Sequence, residues 1–486
     1  MKVLVLGCGF VGERVADLLH AGGHEVIGAT HSAESAARLA AEKPWRVQAC
    51  DVSSAESVQA LRAQAGAVDA FVHCASSGRG GAAAYQNVYV DGMRHLVEAF
   101  PGAWPLYTSS TSVYPQVDGS TVDECSPAEP DRETGVLLRE AEEITLGKGG
   151  TVTRLAGLYG PGRSVLLKNL LERKSGIEVA EGAPDGRLIN QIHGNDAASA
   201  IVHLLTHRHA GIYNVADDLP MTQRECLNTL ANYFSLPLPK RKAPNPDRKR
   251  GWTHKRVSNA RLKSTGWTAT YPCYLDALAD DPLMVSSILD QVEVDHETPA
   301  PRAENIVLIG LMGSGKSTVG RFVARLLDFR FADTDHMIVN RAGCSIPEIF
   351  AKEGEAGFRK RESAVLRELL GSRHHVIATG GGIITQPVNL PLLRHLGFVT
   401  WLEAGTDLLV RRTSANNDRP LLRGEESPRV KLERLIQERG PIYKSMADLR
   451  IQTDDLTQEE SAYGVAESAR IFFARRRFNE PDEKAL

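Results

Sequence analysis

Gly310-Leu-Met-Gly-Ser-Gly-Lys-Ser-Thr318 follows directly on the apolar run Asn305-Ile-Val-Leu-Ile309. The order reads as a buried strand, a Gly-x-x-x-x-Gly-Lys-Ser loop and an amphipathic helix over Thr318 to Leu327. Gly310, Gly313 and Gly315 let the backbone turn its N–H groups inward at the positive end of a helix, where phosphate oxygens bind. Ser314 and Thr318 lie in the same cradle. Lys316 reaches the β and γ phosphates, and the Ser317 hydroxyl is placed to ligand Mg²⁺. The C-terminal half therefore reads as a nucleoside triphosphate site.

Around that loop the bulk properties set limits. At 486 residues the chain exceeds what one core supports, so two or three domains are expected. Hydrophobic residues at 42% and charged residues at 24% are those of a globular protein without a membrane span. Lys+Arg of 57 against Asp+Glu of 60 leaves no basic excess to attract nucleic acid. Gly7, Gly9 and Gly12 interrupt the apolar start Met1 to Val5, which reads as a first strand rather than a signal peptide. The seven cysteines are scattered without a Cys-x-x-Cys pair, so a reduced, cytoplasmic setting is expected. The oligomeric state is not legible.

A second nucleotide-type loop, at residues 7 to 12, lies about 300 positions upstream, and each loop opens a strand–helix alternation. The acidic, Pro-containing stretch from Asp280 to Asn305 shows no periodicity and reads as a connection. The expected organisation is a Rossmann-type doubly wound parallel α/β domain at 1–285, a linker at 286–303, a P-loop α/β kinase domain at 304–475 and a charged tail at 476–486.

Phe331-Ala-Asp-Thr-Asp-His336 places Asp333 and Asp335 two apart at the end of an expected second strand, on one side of it by strand periodicity. Gly357-Phe-Arg359, Val376-Ile-Ala-Thr-Gly-Gly-Gly-Ile-Ile384, Asn417-Asp-Arg-Pro-Leu-Leu422 and Glu438-Arg-Gly-Pro-Ile-Tyr443 follow. In order and spacing, the set resembles shikimate kinase across residues 304 to about 470. The resemblance implies ATP- and Mg²⁺-dependent phosphorylation of the 3-hydroxyl of shikimate. By it, Arg359 and Arg439 grip the substrate carboxylate, and the Gly380, Gly381 and Gly382 backbone packs against the substrate. It makes Asp335 the residue that binds ring hydroxyls and accepts the proton, with Ser317 and Asp333 organising the metal. Arg412 is matched to adenine, with Arg411 as its competitor. Arg419, in a lid from Thr413 to Glu426, would close on the transferring phosphoryl group. Lys431 and Arg434 read as solvated helix charges, and His374-His375 as strand neighbours on opposite faces. A gluconate-type or nucleoside-monophosphate-type kinase is the rival, against which the Gly-Phe-Arg, triple-Gly and Asp-Arg-Pro-Leu-Leu set argues.

At the N-terminus, Lys2-Val-Leu-Val-Leu-Gly-Cys-Gly-Phe-Val-Gly12 is a strand, a Gly-x-Gly-x-x-Gly turn and a helix over Val11 to His20. Gly7 makes the turn, Gly9 admits a pyrophosphate, and Gly12 lets helix and strand close up, with Phe10 and Val11 in the same turn. The second strand, Glu25 to Thr30, ends in Thr30-His31-Ser32, where an acid for the ribose 2′-hydroxyl is expected. Losing that carboxylate favours NADP(H) over NAD(H). Asp51 falls where an adenine contact belongs. Tyr107-Thr-Ser-Ser-Thr-Ser-Val-Tyr114, Arg154 to Gly162 and Ile192-His-Gly-Asn-Asp-Ala-Ala198 complete a resemblance to the extended short-chain dehydrogenase/reductases of the nucleoside-diphosphate-sugar epimerase-like branch, over residues 1 to 280.

That branch uses a Tyr-x-x-x-Lys pair, and none occurs in residues 1 to 290. Thr134 and Leu138 stand at the expected positions. Ser110 matches the family's serine, and Tyr114, with no cation adjacent in sequence, reads as structural. The basic residues Lys240 to Lys242, Arg248 to Arg250, Lys255 and Arg256 read either as a phosphate-binding cluster or as a solvated loop. Three functions stay open: a shikimate kinase with an NADP(H)-sensing or assembly domain, a bifunctional enzyme with an N-terminal reductase or epimerase, and a nucleotide-binding scaffold.

Overall fold

Seven short apolar runs in the N-terminal half form one sheet: β1 (Lys2–Leu6), β2 (Glu25–Thr30), β3 (Arg46–Ala49), β4 (Ala70–His73), β5 (Trp104–Ser110), β6 (Thr151–Leu155) and β7 (Gly211–Val215). Their order is β7-β6-β5-β4-β1-β2-β3, with every neighbouring pair parallel. Parallel strands need crossover helices on both faces, so β1 and β4 are buried along almost their whole length. The order reverses around β1, and ligands bind outside the carboxyl ends of strands at such a point. In the computed structural model, residues 1–78, 80–181, 183–234, 236–245, 252–292, 302–414 and 426–479 are described.

The C-terminal half has its own parallel sheet, of β8 (Ile306–Ile309), β9 (Arg330–Asp333), β10 (His375–Ala378), β11 (Phe398–Glu403) and β12 (Leu449–Gln452), in the order β9-β10-β8-β11-β12. The loop after the central strand β8 leads into the helix Lys316–Leu327. Val319 and Val323 of that helix share a core with Ile306, Leu308, Val465 and Ala469.

The chain divides into two compact units, Met1–Ser164 with Gly176–Cys226 and Lys240–Leu278, and Val165–Ser175 with Leu227–Pro239 and Ala279–Leu486. Two stretches from earlier in the sequence thus group with the C-terminal unit. Within that unit Tyr233 Oη donates to Arg367 O at 3.1 Å, and Phe234 meets His395 edge-on at 5.3 Å. A helix, Met284–Leu289, lies inside the stretch read as aperiodic connection, with Met284, Val285 and Ile288 buried. The remainder of that connection, 293–301, is outside the described residues. The helix Gln458–Asn479 runs into the expected tail.

Candidate functional site

The loop after β8 is shaped by left-handed glycines, with φ of 142° at Gly310, 85° at Gly313 and 93° at Gly315. Gly315 caps the helix Lys316–Leu327, so the helix's free N–H groups face the loop. Lys316, 8% exposed, donates from Nζ to Gly310 O and Leu311 O, both at 2.8 Å. Ser314 Oγ is buried and finds no hydrogen-bond partner among the described residues. A buried donor beside turned-in amides fits an anion such as a phosphate. Thr318 is half-buried on the helix's first turn. Arg412 Nη1 donates to Gly313 O at 3.2 Å, whereas Arg411 is exposed. Of the two, Arg412 is the one that adjoins the loop.

Ser317 Oγ donates to Asp333 Oδ2 at 2.6 Å, so a hydroxyl and a carboxylate sit together beside the loop. Two oxygen donors in contact suit a hard cation such as Mg²⁺. The strand reading of Asp333 and Asp335 needs correction. β9 ends at Asp333, which caps the helix Thr334–Ala342 by accepting from Asp335 N at 3.1 Å and His336 N at 3.3 Å. Asp is a strong N-cap, and capping ends the strand at Asp333, two residues before Asp335, so strand periodicity does not apply to the pair.

The triple glycine lies across from the phosphate loop. Gly380 N donates to Thr334 Oγ1 at 3.0 Å, and a Cβ on Gly380 would come within 2.7 Å of both Asp335 Oδ1 and Glu362 Oε1. A Cβ on Gly381 would lie 3.1 Å from Met312 N, within the phosphate loop. Gly381 O accepts from Arg439 Nη1 at 3.0 Å and from Tyr443 Oη at 2.6 Å. Arg359, 5% exposed, donates from Nη1 to Glu362 Oε2 at 2.7 Å and from Nη2 to Glu355 Oε1 at 2.7 Å. Two buried guanidiniums, an aspartate and bare glycine backbone therefore converge beside the phosphate loop.

Glu362 was not singled out from sequence. It is fully buried, and burial pushes its carboxyl up to about 7, with the Arg359 charge opposing and Asp335 reinforcing that rise. Its signal was present, because i,i+3 spacing on a helix sets a glutamate against Arg359. Tyr443, at the end of the Glu438–Tyr443 run, is also buried, and burial raises its phenol above the ordinary value. Lys431, expected to be solvated, is 7% exposed, whereas Arg434 is exposed and pairs with Glu426 at 3.1 Å. His374 and His375 turn to different partners, Glu304 Oε2 and Arg373 O. Arg419 and most of the expected lid lie outside the described residues.

In the N-terminal unit, a cleft of about 740 Å³ opens at the carboxyl ends of β1, β2 and β4. It is lined by Gly7, Gly9, Phe10, Val11, Thr30, His31 and Asp51, all expected there. A Cβ on Gly7 would lie 2.4 Å from Ala75 Cα, and one on Gly12 would lie 2.3 Å from Gly7 O, so these two glycines close the turn. A Cβ on Gly9 would meet nothing within 4 Å and would project into open space. That bare approach fits a pyrophosphate. Asp51 is held by Ser53, whose Oγ donates at 2.7 Å, and His31 Nδ1 stands 3.7 Å away. Arg38 and Ser35 also line the cleft. Arg38 escaped the sequence reading because the helix Ala33–Glu42, not the strand end, delivers it.

Leu138 lines the cleft where the family's lysine is expected, and Ser110 lines it too. Tyr114, with no cation near it in sequence, has two beside it in the fold. Arg154 Nη1 donates to its Oη at 2.7 Å, and Lys255 Nζ donates to its carbonyl. It is nonetheless fully buried and donates to Asn214 Oδ1 at 3.0 Å, and burial raises its phenol. Arg154 also pairs with the buried Glu142 at 2.7 Å, which accepts from Ser109 Oγ at 2.6 Å. Tyr114 thus belongs to a closed polar network in the core. Of the basic residues, Lys255 is buried whereas Lys240 to Lys242 are on the surface, and Arg248 to Arg250 lie outside the described residues.

Among the described residues no helix is long and apolar enough to cross a membrane. The shikimate kinase family pattern matches residues 312–470, and the NAD dependent epimerase/dehydratase family pattern matches residues 3–216. Shikimate kinase of Thioalkalivibrio sulfidiphilus is 46% identical over 167 residues, 33% of this chain and 87% of that protein. Shikimate kinase of Acinetobacter baylyi is 46% identical over 161 residues, 33% of this chain and 89% of the relative. Among solved structures, shikimate kinase from Acinetobacter baumannii in complex with shikimate is 40% identical and covers 36% of this chain and 96% of its own, with a TM-score of 0.34. Thermus thermophilus UDP-glucose 4-epimerase complexed with NAD covers 59% of this chain and 99% of its own at 20% identity, with a TM-score of 0.50. That last likeness establishes a shared fold for the N-terminal half. With its C-terminal half aligned over nearly the whole length of curated relatives, the chain belongs to the shikimate kinase family.

Proposed function

We propose that this protein transfers the γ-phosphoryl group of ATP to the 3-hydroxyl of shikimate, giving shikimate 3-phosphate for aromatic amino-acid biosynthesis. The observation that carries this reading is the convergence of Arg359, Arg439 and Asp335 on the Gly380–Gly382 backbone, beside the phosphate loop. A small polyol carboxylate needs a bidentate cation and an acid for its hydroxyls, and that set supplies both. Lys316 steadies the β and γ phosphates, and Ser317 with Asp333 holds Mg²⁺. Asp335 orients the hydroxyl and takes its proton. Arg412 flanks the adenine, and Arg419 offsets charge on the transferring group. Phosphorus NMR of the product formed from ATP and shikimate tests the reading, since the phosphate must appear on the 3-oxygen.

The N-terminal part of the chain, residues 1–285, binds NADP(H) without standard hydride chemistry. Arg38 and Ser35 stand in the cleft with Thr30 and His31, and Thr30 takes the strand-end place of the acid that would hold a ribose 2′-hydroxyl. Leu138 supplies no charge to lower a phenol's pKa, so a cofactor-sensing or assembly role is favoured over reduction or epimerisation. Calorimetric titration of the full chain should give tighter binding of NADPH than of NADH. NADPH oxidation with a carbonyl substrate would favour the bifunctional alternative instead.

A further inference from the structure

A third constellation lies away from the dinucleotide cleft, at the carboxyl end of the helix Gly194–Thr206. His203 and His207 are four residues apart, a spacing that sets two side chains on one helix face. Arg208 then takes a φ of 52°, a left-handed conformation rare for a residue with a Cβ. Its amide donates to Leu205 O at 3.1 Å, and the His209 amide donates to Leu204 O at 2.9 Å. That reversal carries His209 back onto the same face. Thr151 Oγ1 pins the turn by donating to His209 O at 2.8 Å.

The three rings gather closely, with centroids 4.6 Å apart for His203 and His207, 5.6 Å for His203 and His209, and 5.8 Å for His207 and His209. One ring nitrogen of each lies within 4.8 Å of the other two. On two of the rings one nitrogen also has a fixed hydrogen-bond partner. His203 Nε2 lies 3.2 Å from Thr265 O and 3.0 Å from Thr265 Oγ1, whose own proton goes to Leu262 O at 2.6 Å, and His207 Nδ1 lies 2.9 Å from His203 O. A carbonyl only accepts, so each of these nitrogens carries the proton in a neutral ring, and the other ring nitrogen keeps its lone pair. Outer carbonyls fix the tautomer of metal-bound histidines in this way.

We propose that His203, His207 and His209 form a binding site for a borderline divalent cation of the Zn²⁺ class, with a fourth position open to water. Three neutral imidazoles plus water is a known zinc ligand set, and imidazole suits such ions better than Mg²⁺ or Ca²⁺. Tetrahedral zinc with bonds of about 2.0 Å sets neighbouring ligand atoms about 3.3 Å apart. Side-chain rotation of the exposed His207 and the half-buried His203 and His209 closes the remaining gap.

The test is a titration of the metal-free full-length protein with Co²⁺, followed by its visible absorption and by displacement with Zn²⁺. One equivalent should bind with the intense bands of tetrahedral cobalt. His207→Gln and His209→Gln should each weaken binding by about tenfold or more, the scale that even outer partners of metal sites carry. The thermal unfolding of both metal-free variants should match that of the parent, which separates loss of ligand from loss of fold. No saturable binding, or binding that survives both substitutions, would overturn the proposal.

Discussion

The backbone of Gly382 lies so close to the guanidinium of Arg359 that a Cβ there would come within 2.2 Å of Nη1 and 2.5 Å of Nη2. Arg359 is fixed from the other side by Glu355 and Glu362. Gly382→Ala must therefore displace the guanidinium. The expected outcome is a rise in KM for shikimate of roughly tenfold or more, with KM for ATP little changed. Steady-state kinetics with each substrate varied in turn would check this.

Asp335→Asn keeps the size and the amide-to-Asp333 cap but removes the carboxylate proposed to accept the hydroxyl proton. Turnover should fall by roughly a hundredfold or more, the usual scale for a positioned base, while ATP still binds. A calorimetric ATP titration alongside the turnover assay separates the two effects.

Glu362 gives a pH signature. Its carboxyl is raised by burial from 4.5 to about 7, so the folded state holds that proton more tightly than the unfolded state. The associated stability is fully present below pH 4.5 and is lost as pH rises through about 7. In calorimetric scans, the transition that ATP raises should lose stability across this window. Glu362→Gln should flatten that segment of the profile.

In the N-terminal unit, Gly7 and Gly9 should behave oppositely. Gly7→Ala forces a Cβ onto Ala75 at a φ of 83°, so thermal stability should drop. Gly9→Ala meets no atom, so stability should hold, while the methyl group intrudes where the pyrophosphate would lie and NADPH binding weakens. Arg38→Ala should narrow the preference for NADPH over NADH. Differential scanning fluorimetry and calorimetric titration would read all three.

Much of this was legible in the sequence because it depends on local chemistry. Gly310, Gly313 and Gly315 announce a phosphate loop by spacing alone, and Gly7, Gly9 and Gly12 announce a dinucleotide turn in the same way. Residues brought in by packing were not legible. Arg38 reaches the cleft from a helix face, and Lys431 is buried by neighbours that its own helix pattern does not reveal. Tyr114 gained Arg154 and Lys255 from 40 and 141 positions away, which no local reading could supply. The helix Met284–Leu289 was hidden in acidic, Pro-containing surroundings because six residues are too few to show a period.

The most direct measurement is ADP formation by the full chain with Mg²⁺-ATP, with and without shikimate, alongside Lys316→Ala. The expected result is turnover that requires shikimate and falls by roughly a hundredfold or more in the variant, since the proposed function places the Lys316 cation on the β and γ phosphates. ADP formation that ignores shikimate, or that survives loss of Lys316, would contradict the reading of the C-terminal half as a working shikimate kinase.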